Sequence, residues 1–136
     1  MIAVQITRWV ASIIGLGALL LGLAFWLFHI DLLNVHMLFG FIVTLSLLGL
    51  GIAMLFSRGL RLLGIISIIY APILPVFGMT QDTLLIGDLH WLIRVAHMLV
   101  GIGALVLIGL IGARYQALKR NSSNPTLKAS LSSEKG

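Results

Sequence analysis

Long apolar runs alternate with short polar breaks along this chain. Four runs are each close to the roughly 20 residues that a helix needs to cross a bilayer, and they predict helices over 9–28, 33–56, 60–77 and 89–113. Turn-forming polar and glycine residues separate them, around Asp31 and Asn34, at 57–59 and at 80–83. The pattern therefore predicts an all-α integral membrane protein, folded as a bundle of four transmembrane helices.

Local signals refine these boundaries. Asp88 precedes the fourth run and is a candidate N-cap for its helix. Pro72 and Pro75 lie inside the third run, where they are expected to kink the helix or end its regular part. Residues 1–120 are predicted to form the transmembrane domain. Residues 121–136 are rich in Ser, Asn and Lys and are predicted to be a flexible cytoplasmic tail.

Composition supports membrane insertion and excludes several kinds of chemistry. Apolar residues make up 60% of the chain and charged residues 10%, far from the usual balance of a soluble protein. The first apolar run has no small-residue cleavage site, so we expect it to remain as a span. The chain has no cysteine, which excludes disulfides, thiolate metal ligands and covalent haem attachment.

Charge is distributed unequally between the two ends of the predicted bundle. Three acidic residues and Arg94 fall at one end: Asp31, Asp82 and Asp88. The other basic residues near the spans fall at the opposite end, which predicts by the positive-inside rule that both termini are cytoplasmic. The net charge of +5 is thus explained by topology and does not indicate nucleic-acid binding. The expected location is the bacterial inner membrane, which the chain crosses several times in contact with lipid.

One short motif occurs twice and contains every histidine of the chain. Residues 29–40 and 90–101 both read H-x6-H-M-L-x-G, with the second copy 61 residues after the first. The second histidine of each copy, His36 or His97, falls on the second or fourth helix. Because these helices run in the same direction, both histidines are expected in the outer leaflet. This arrangement predicts a duplicated two-helix hairpin with a ligand held between its halves.

Each of these histidines is followed four positions later by a glycine, Gly40 after His36 and Gly101 after His97. Residues four apart share a helix face, so each glycine leaves room beside an imidazole for a flat macrocycle. Histidine is a common axial ligand of haem, and helix bundles often hold such cofactors. The alternative is that the glycines serve helix packing and that each histidine hydrogen-bonds across helices to a backbone carbonyl or Thr44.

The first histidine of each copy, His29 or His90, lies at the outer end of the bundle. These residues are candidates to contact haem propionates, bind a quinone head group or hold a surface metal ion; alternatively, they are hydrated interfacial side chains without a role. Arg94 lies near the face of His97. It is a candidate to pair with a propionate, or alternatively with Asp88 or Asp82.

Four spans with histidines on parallel helices resemble small bacterial b-type cytochromes of the cytochrome b561 and superoxide oxidase kind, and also one four-helix half of the haem A synthase family. The resemblance is architectural and covers the span region. It implies that His36 and His97 are axial ligands of haem b and that the protein passes electrons between quinone or quinol and a membrane or periplasmic partner. No histidine falls in the inner leaflet, so a single haem is expected.

Two other functions are compatible with the pattern. The chain is alternatively a non-catalytic accessory or assembly subunit of a larger respiratory or photosynthetic complex, with its helix faces contacting partner subunits or further copies of itself. It alternatively binds a pigment through histidine ligation of chlorophyll magnesium. The haem hypothesis requires His36 and His97 to face each other across the bundle with room for a porphyrin between them. The accessory hypothesis predicts a tightly filled interior without a cofactor-sized gap and with locally hydrogen-bonded histidines, whereas the pigment hypothesis requires a histidine that faces outward.

Overall fold

The computed structural model of this chain describes residues 2–29 and 31–123. Within them every regular element is helical, and the third span is formed by two short helices in succession. Four helical segments are long and apolar enough to cross a membrane, which confirms the predicted all-helical fold and the predicted number of spans. The helices are α1 Ile2–Phe28, α2 Leu33–Leu55, α3 Arg61–Tyr70, α4 Ile73–Thr80 and α5 His90–Ser122.

Two helices extend well beyond their predicted ends. The first, α1, begins at Ile2 rather than at residue 9, and α5 continues to Ser122 rather than ending at 113. The extension of α5 contains good helix formers, and Lys119 and Arg120 in its last turn interact favourably with the helix dipole. Hydropathy thus locates the part of a helix within the bilayer but not its ends. Residues 121 and 122, which were predicted to belong to the tail, are the last residues of α5, and residues 124–136 lie outside the described part of the chain.

The third span breaks where its first proline lies. The helix α3 ends at Tyr70 and α4 begins at Ile73, with Ala71 and Pro72 between them. Proline has no backbone N–H to donate, and its ring clashes with the preceding turn of a helix. This confirms the predicted interruption. The span then continues to Thr80, three residues beyond its predicted end.

The spans form a four-cornered bundle. The helix α1 packs against both α2 and α5, while α3 packs against α2, and α4 packs against α5 and α2. The helices α2 and α5 therefore lie at opposite corners and meet only across the interior. Residues near the start of α1 and the end of α5 line one small cleft together, among them Val4 and Tyr115.

The two ends of the bundle differ in packing. We call one the packed half, because its large side chains are almost fully buried: Leu47, Leu50, Met54, Leu60, Ile108 and Ile111. We call the other the histidine half; among its described apolar side chains only Ala18 and Ile93 are buried, and α4 has no buried residue. The packed half comprises 2–16, 43–71 and 104–122, and the histidine half comprises 17–28, 33–42, 73–80 and 90–103.

Close backbone contact joins α2 to α3 in the packed half. A Cβ built on Gly64 would lie 2.7 Å from the carbonyl oxygen of Gly51, and one built on Gly51 would lie 3.0 Å from that of Gly64. Small residues commonly allow such approach between membrane helices. Ser67 is fully buried at the same contact and donates its hydroxyl to Leu63 of its own helix, 2.8 Å away.

Candidate functional site

The rings of His36 and His97 meet in the interior of the histidine half. Their centres are 5.9 Å apart and their planes are inclined by 63°. His36 comes from α2 and His97 from α5, the two helices at opposite corners of the bundle. Both residues are partly buried. The structure therefore brings together the two histidines that the repeated motif indicated.

Two features of α1 fix the ring of His36. Its Nδ1 lies 2.9 Å from the carbonyl oxygen of Ala18, and since a carbonyl only accepts, Nδ1 carries the proton and donates. A Cβ built on Gly22 would lie 3.1 Å from the Cε1 atom of His36, so the ring occupies a slot that glycine leaves open. The other ring nitrogen, Nε2, is left unprotonated and able to coordinate a metal.

His97 is held by α4 in a comparable way. Its ring is parallel to that of Phe77, with the centres 6.1 Å apart, and a Cβ built on Gly78 would lie 3.2 Å from its Cε1 atom. Unlike its counterpart on His36, the Nδ1 atom of His97 is buried without a hydrogen-bond partner among the described residues. A buried polar atom in this state costs free energy, so the ring of His97 is less well satisfied in this arrangement than the ring of His36.

The glycines that seat the two histidines were not identified from the sequence. Gly22 precedes His36 by 14 positions, whereas Gly78 precedes His97 by 19. This difference hides their equivalence from a search for equal spacing. The sequence feature that could have identified these glycines is that the first span and the third span each carry a glycine near the level of a histidine.

The glycines of the repeated motif border open space. A Cβ built on Gly40 or Gly101 meets no atom within 4 Å outside its own helix, as expected if they leave room beside the imidazoles. The Thr44 hydroxyl donates to the carbonyl oxygen of Gly40, 2.9 Å away in its own helix. Of the two hydrogen-bonding alternatives for His36, the structure thus shows the backbone carbonyl and not Thr44.

Two imidazoles alone are an incomplete protein site for a bare ion. The described residues contain no group of three or more histidine, cysteine or acidic side chains placed to hold a metal, whereas structural zinc usually takes four protein ligands. A porphyrin brings four nitrogens of its own and asks the protein for one or two axial ligands. The 5.9 Å between the two ring centres is similar to the roughly 6 Å expected for two imidazoles on opposite sides of one metal ion, with metal–nitrogen bonds of about 2 Å.

The remaining candidates lie apart from this pair. His29 is exposed just beyond α1, with a φ of 54°, and His90 is the first residue of α5. Arg94 is exposed on α5. Asp88 lies in the turn before α5, but no side chain caps this helix, so the predicted N-cap role of Asp88 is wrong.

The chain was compared with protein-family models, with curated proteins and with solved structures, and nothing matches it in any of the three.

Proposed function

We propose that this protein is a membrane b-type haem protein that passes electrons between quinone or quinol and a membrane or periplasmic partner. A single haem b would be ligated by His36 and His97. The observation that carries the proposal is the contact of these two rings across the bundle, with centres 5.9 Å apart.

Each residue of the site has a distinct part in this proposal. The Ala18 carbonyl holds His36 in the tautomer that presents Nε2 and makes that nitrogen a stronger ligand. Phe77 packs against the face of His97 and restricts rotation of its ring. Gly40 and Gly101 leave space for the macrocycle. When bound, the haem supplies the reversible uptake of one electron, and the protein shields it and tunes its potential.

The polar end of the histidine half would serve the same function. Arg94 lies about one turn before His97 on α5, so the two residues share a helix face. We assign Arg94 to the contact with a haem propionate. His29 and His90 are assigned to the contact with a quinone head group, since both lie at the end of the bundle that borders the interface.

The proposed placement has both termini in the cytoplasm and the histidine half on the outer side of a bacterial inner membrane. Its support is the unequal charge distribution: among the described residues, five arginines and one lysine lie in the packed half or its turn, and Arg94 alone lies at the other end. The origin of the bundle in a duplicated hairpin is supported by the repeated motif and by the matching pairs of Gly22 with His36 and Gly78 with His97.

An absorption spectrum of purified protein tests the haem. The protein is expressed with ample haem, purified in detergent and recorded oxidised and dithionite-reduced. We expect sharp reduced α and β bands, which are lost in both His36→Ala and His97→Ala because each removes an axial ligand. His29→Ala and His90→Ala are the matched controls and should keep the bands.

A colourless wild-type protein that is folded by circular dichroism would contradict the proposal and favour the accessory-subunit function. Bands that survive both His36→Ala and His97→Ala would show that haem binds elsewhere. Loss of the bands in all four variants, with folding intact, would also contradict the assignment of the ligands.

A further inference from the structure

A second site is indicated at the opposite end of the bundle, where the start of α1 meets the end of α5. A small cleft there has a volume of about 10 Å³. The surface that the cleft exposes is apolar and is contributed by residues of both helices. The lining residues are Val4, Gln5, Arg8, Ile111, Gly112, Tyr115 and Gln116.

The side chain of Arg8 is built into this cleft. It lies directly over Gly112, in a place that any larger residue at 112 would occupy. Its guanidinium carbon lies 5.0 Å from the centre of the Trp9 ring. Trp9 on α1 and Tyr115 on α5 are residue types that mark the level of the lipid head groups. Arg8 is thus directed to the membrane interface.

No described acidic side chain is near enough to neutralise Arg8. Three of the four acidic residues of the chain are described, namely Asp31, Asp82 and Asp88, and all three lie in turns at the far end of the bundle. The helical path from Arg8 to the end of α1 is about 30 Å at 1.5 Å per residue. A half-buried guanidinium that has no carboxylate partner among residues 2–29 and 31–123 is suited to an anion from outside the protein.

The size of the cleft restricts the kind of anion. A volume of about 10 Å³ is close to the minimum for one water molecule, so the cleft cannot enclose a nucleotide or a ring. Because its exposed walls are apolar, an anion would have to meet the Arg8 guanidinium beside the cleft, with the bulk of the ligand outside. The outward faces of α1 and α5 next to it expose apolar side chains, including Ile13 and Leu110, which are 66% and 46% exposed.

We propose that the Arg8 side chain, seated on Gly112 beside this cleft, binds the phosphate of an anionic phospholipid, with the acyl chains lying against the apolar faces of α1 and α5. Basic clefts between membrane helices are suited to such head groups. The cationic side chains of the same end, which include Arg114 and Lys119, favour a lipid with net negative charge over a zwitterionic one.

Lipid binding to delipidated protein in detergent tests this site. Native mass spectrometry measures retention of phosphatidylglycerol and of phosphatidylcholine, and inorganic phosphate is added as a competitor. Wild-type protein is expected to retain phosphatidylglycerol preferentially, and millimolar phosphate should not displace it. Arg8→Gln should weaken its retention by about fivefold or more, because it removes a direct charge-assisted hydrogen bond to the phosphate.

Three further variants test whether the lipid binds at a defined site or is attracted only by the positive charge of this end. Gly112→Ala keeps every charge but fills the seat of Arg8, and should weaken retention as Arg8→Gln does. Gly109→Ala is its control, since a Cβ there meets no atom within 4 Å. Arg114→Gln is the control for charge, since Arg114 is exposed and does not line the cleft, and it should change retention less than twofold.

Three results would overturn the proposal. Equal loss in Arg114→Gln and Arg8→Gln would show that charge at this end acts without a site. Full retention in Gly112→Ala would show that the cleft is not used. Displacement by inorganic phosphate, or equal retention of phosphatidylcholine, would show that the ligand is not an anionic lipid.

Discussion

The packed half and the histidine half of the bundle are built from similar apolar helices but differ in what fills their interiors. In the packed half, aliphatic side chains interlock and α2 approaches α3 until glycine backbones touch. In the histidine half, the centre is occupied by two imidazoles, and few side chains around them are fully buried. Packing contacts are a main source of helix association in membranes, because lipid is as apolar as leucine.

This difference indicates that the packed half mainly stabilises the bundle, whereas the histidine half carries the candidate functional site. The packed half makes enough contact to hold all four spans together, so the histidine half need not be filled by side chains. The comparison predicts that substitutions in the packed half reduce stability, whereas substitutions around the histidines reduce cofactor binding first.

The largest effect is expected from Leu47→Ala in the packed half. Leu47 is 0% exposed, and removing a fully buried leucine side chain typically costs 2–5 kcal/mol because a cavity remains. The control is Leu38→Ala on the same helix in the histidine half, where the leucine is 59% exposed; we expect less than about 1 kcal/mol there. Thermal unfolding in detergent, followed by circular dichroism, measures both.

Equal destabilisation by Leu47→Ala and Leu38→Ala would contradict the division into halves. It would show that lipid-facing and interior leucines contribute alike and that the bundle is held together evenly along its length.

A smaller and more selective effect is expected from filling the slot beside a histidine. The added methyl group of Gly22→Ala would lie 3.1 Å from His36 Cε1 and push the ring away from the Ala18 carbonyl. Loss of such a supporting hydrogen bond typically weakens metal binding by about 10–100-fold. Haem content per protein, titrated with haem, is the measurement, and thermal stability should change little.

Gly17→Ala is the matched control on the same helix. Its methyl group would lie 2.9 Å from Phe39 Cε2, so it creates comparable crowding without touching a histidine. If Gly17→Ala weakens haem binding as much as Gly22→Ala does, the effect is one of helix packing and the supporting role of the Ala18 carbonyl is refuted.

Sequence patterns were sufficient for the parts of this molecule that repeat or that span the bilayer. Hydropathy predicted the four spans, Pro72 predicted the break in the third, and the repeated motif indicated that His36 and His97 belong together. The first two signals are local, and the third comes from comparing two segments of the sequence, so none of them requires knowledge of contacts between helices.

The partners of the histidines depend on contacts between helices, and no local signal reports them. Ala18 acts through its backbone carbonyl, which every residue has, so its identity as the partner of His36 is invisible in the sequence. Gly22 and Gly78 resemble the many other glycines of the spans. The seat of Arg8 on Gly112 joins residues from opposite ends of the chain, a pairing that only the closed bundle reveals.

The smallest effect is expected from Phe77→Leu, which removes the ring stacked on His97 while keeping an apolar side chain. Aromatic pairs contribute about 0.5–1.5 kcal/mol beyond their buried area, so haem affinity should fall by no more than roughly tenfold. Phe41→Leu is the control, because Phe41 is 53% exposed on α2. The midpoint potential of the bound haem should also shift, because a His97 ring that is less restricted binds the iron with altered strength. If Phe77→Leu leaves the haem affinity and the potential unchanged while Gly22→Ala lowers the haem affinity, only the His36 side of the site is held rigid by the protein. His97 then acquires its orientation from the bound haem rather than from α4.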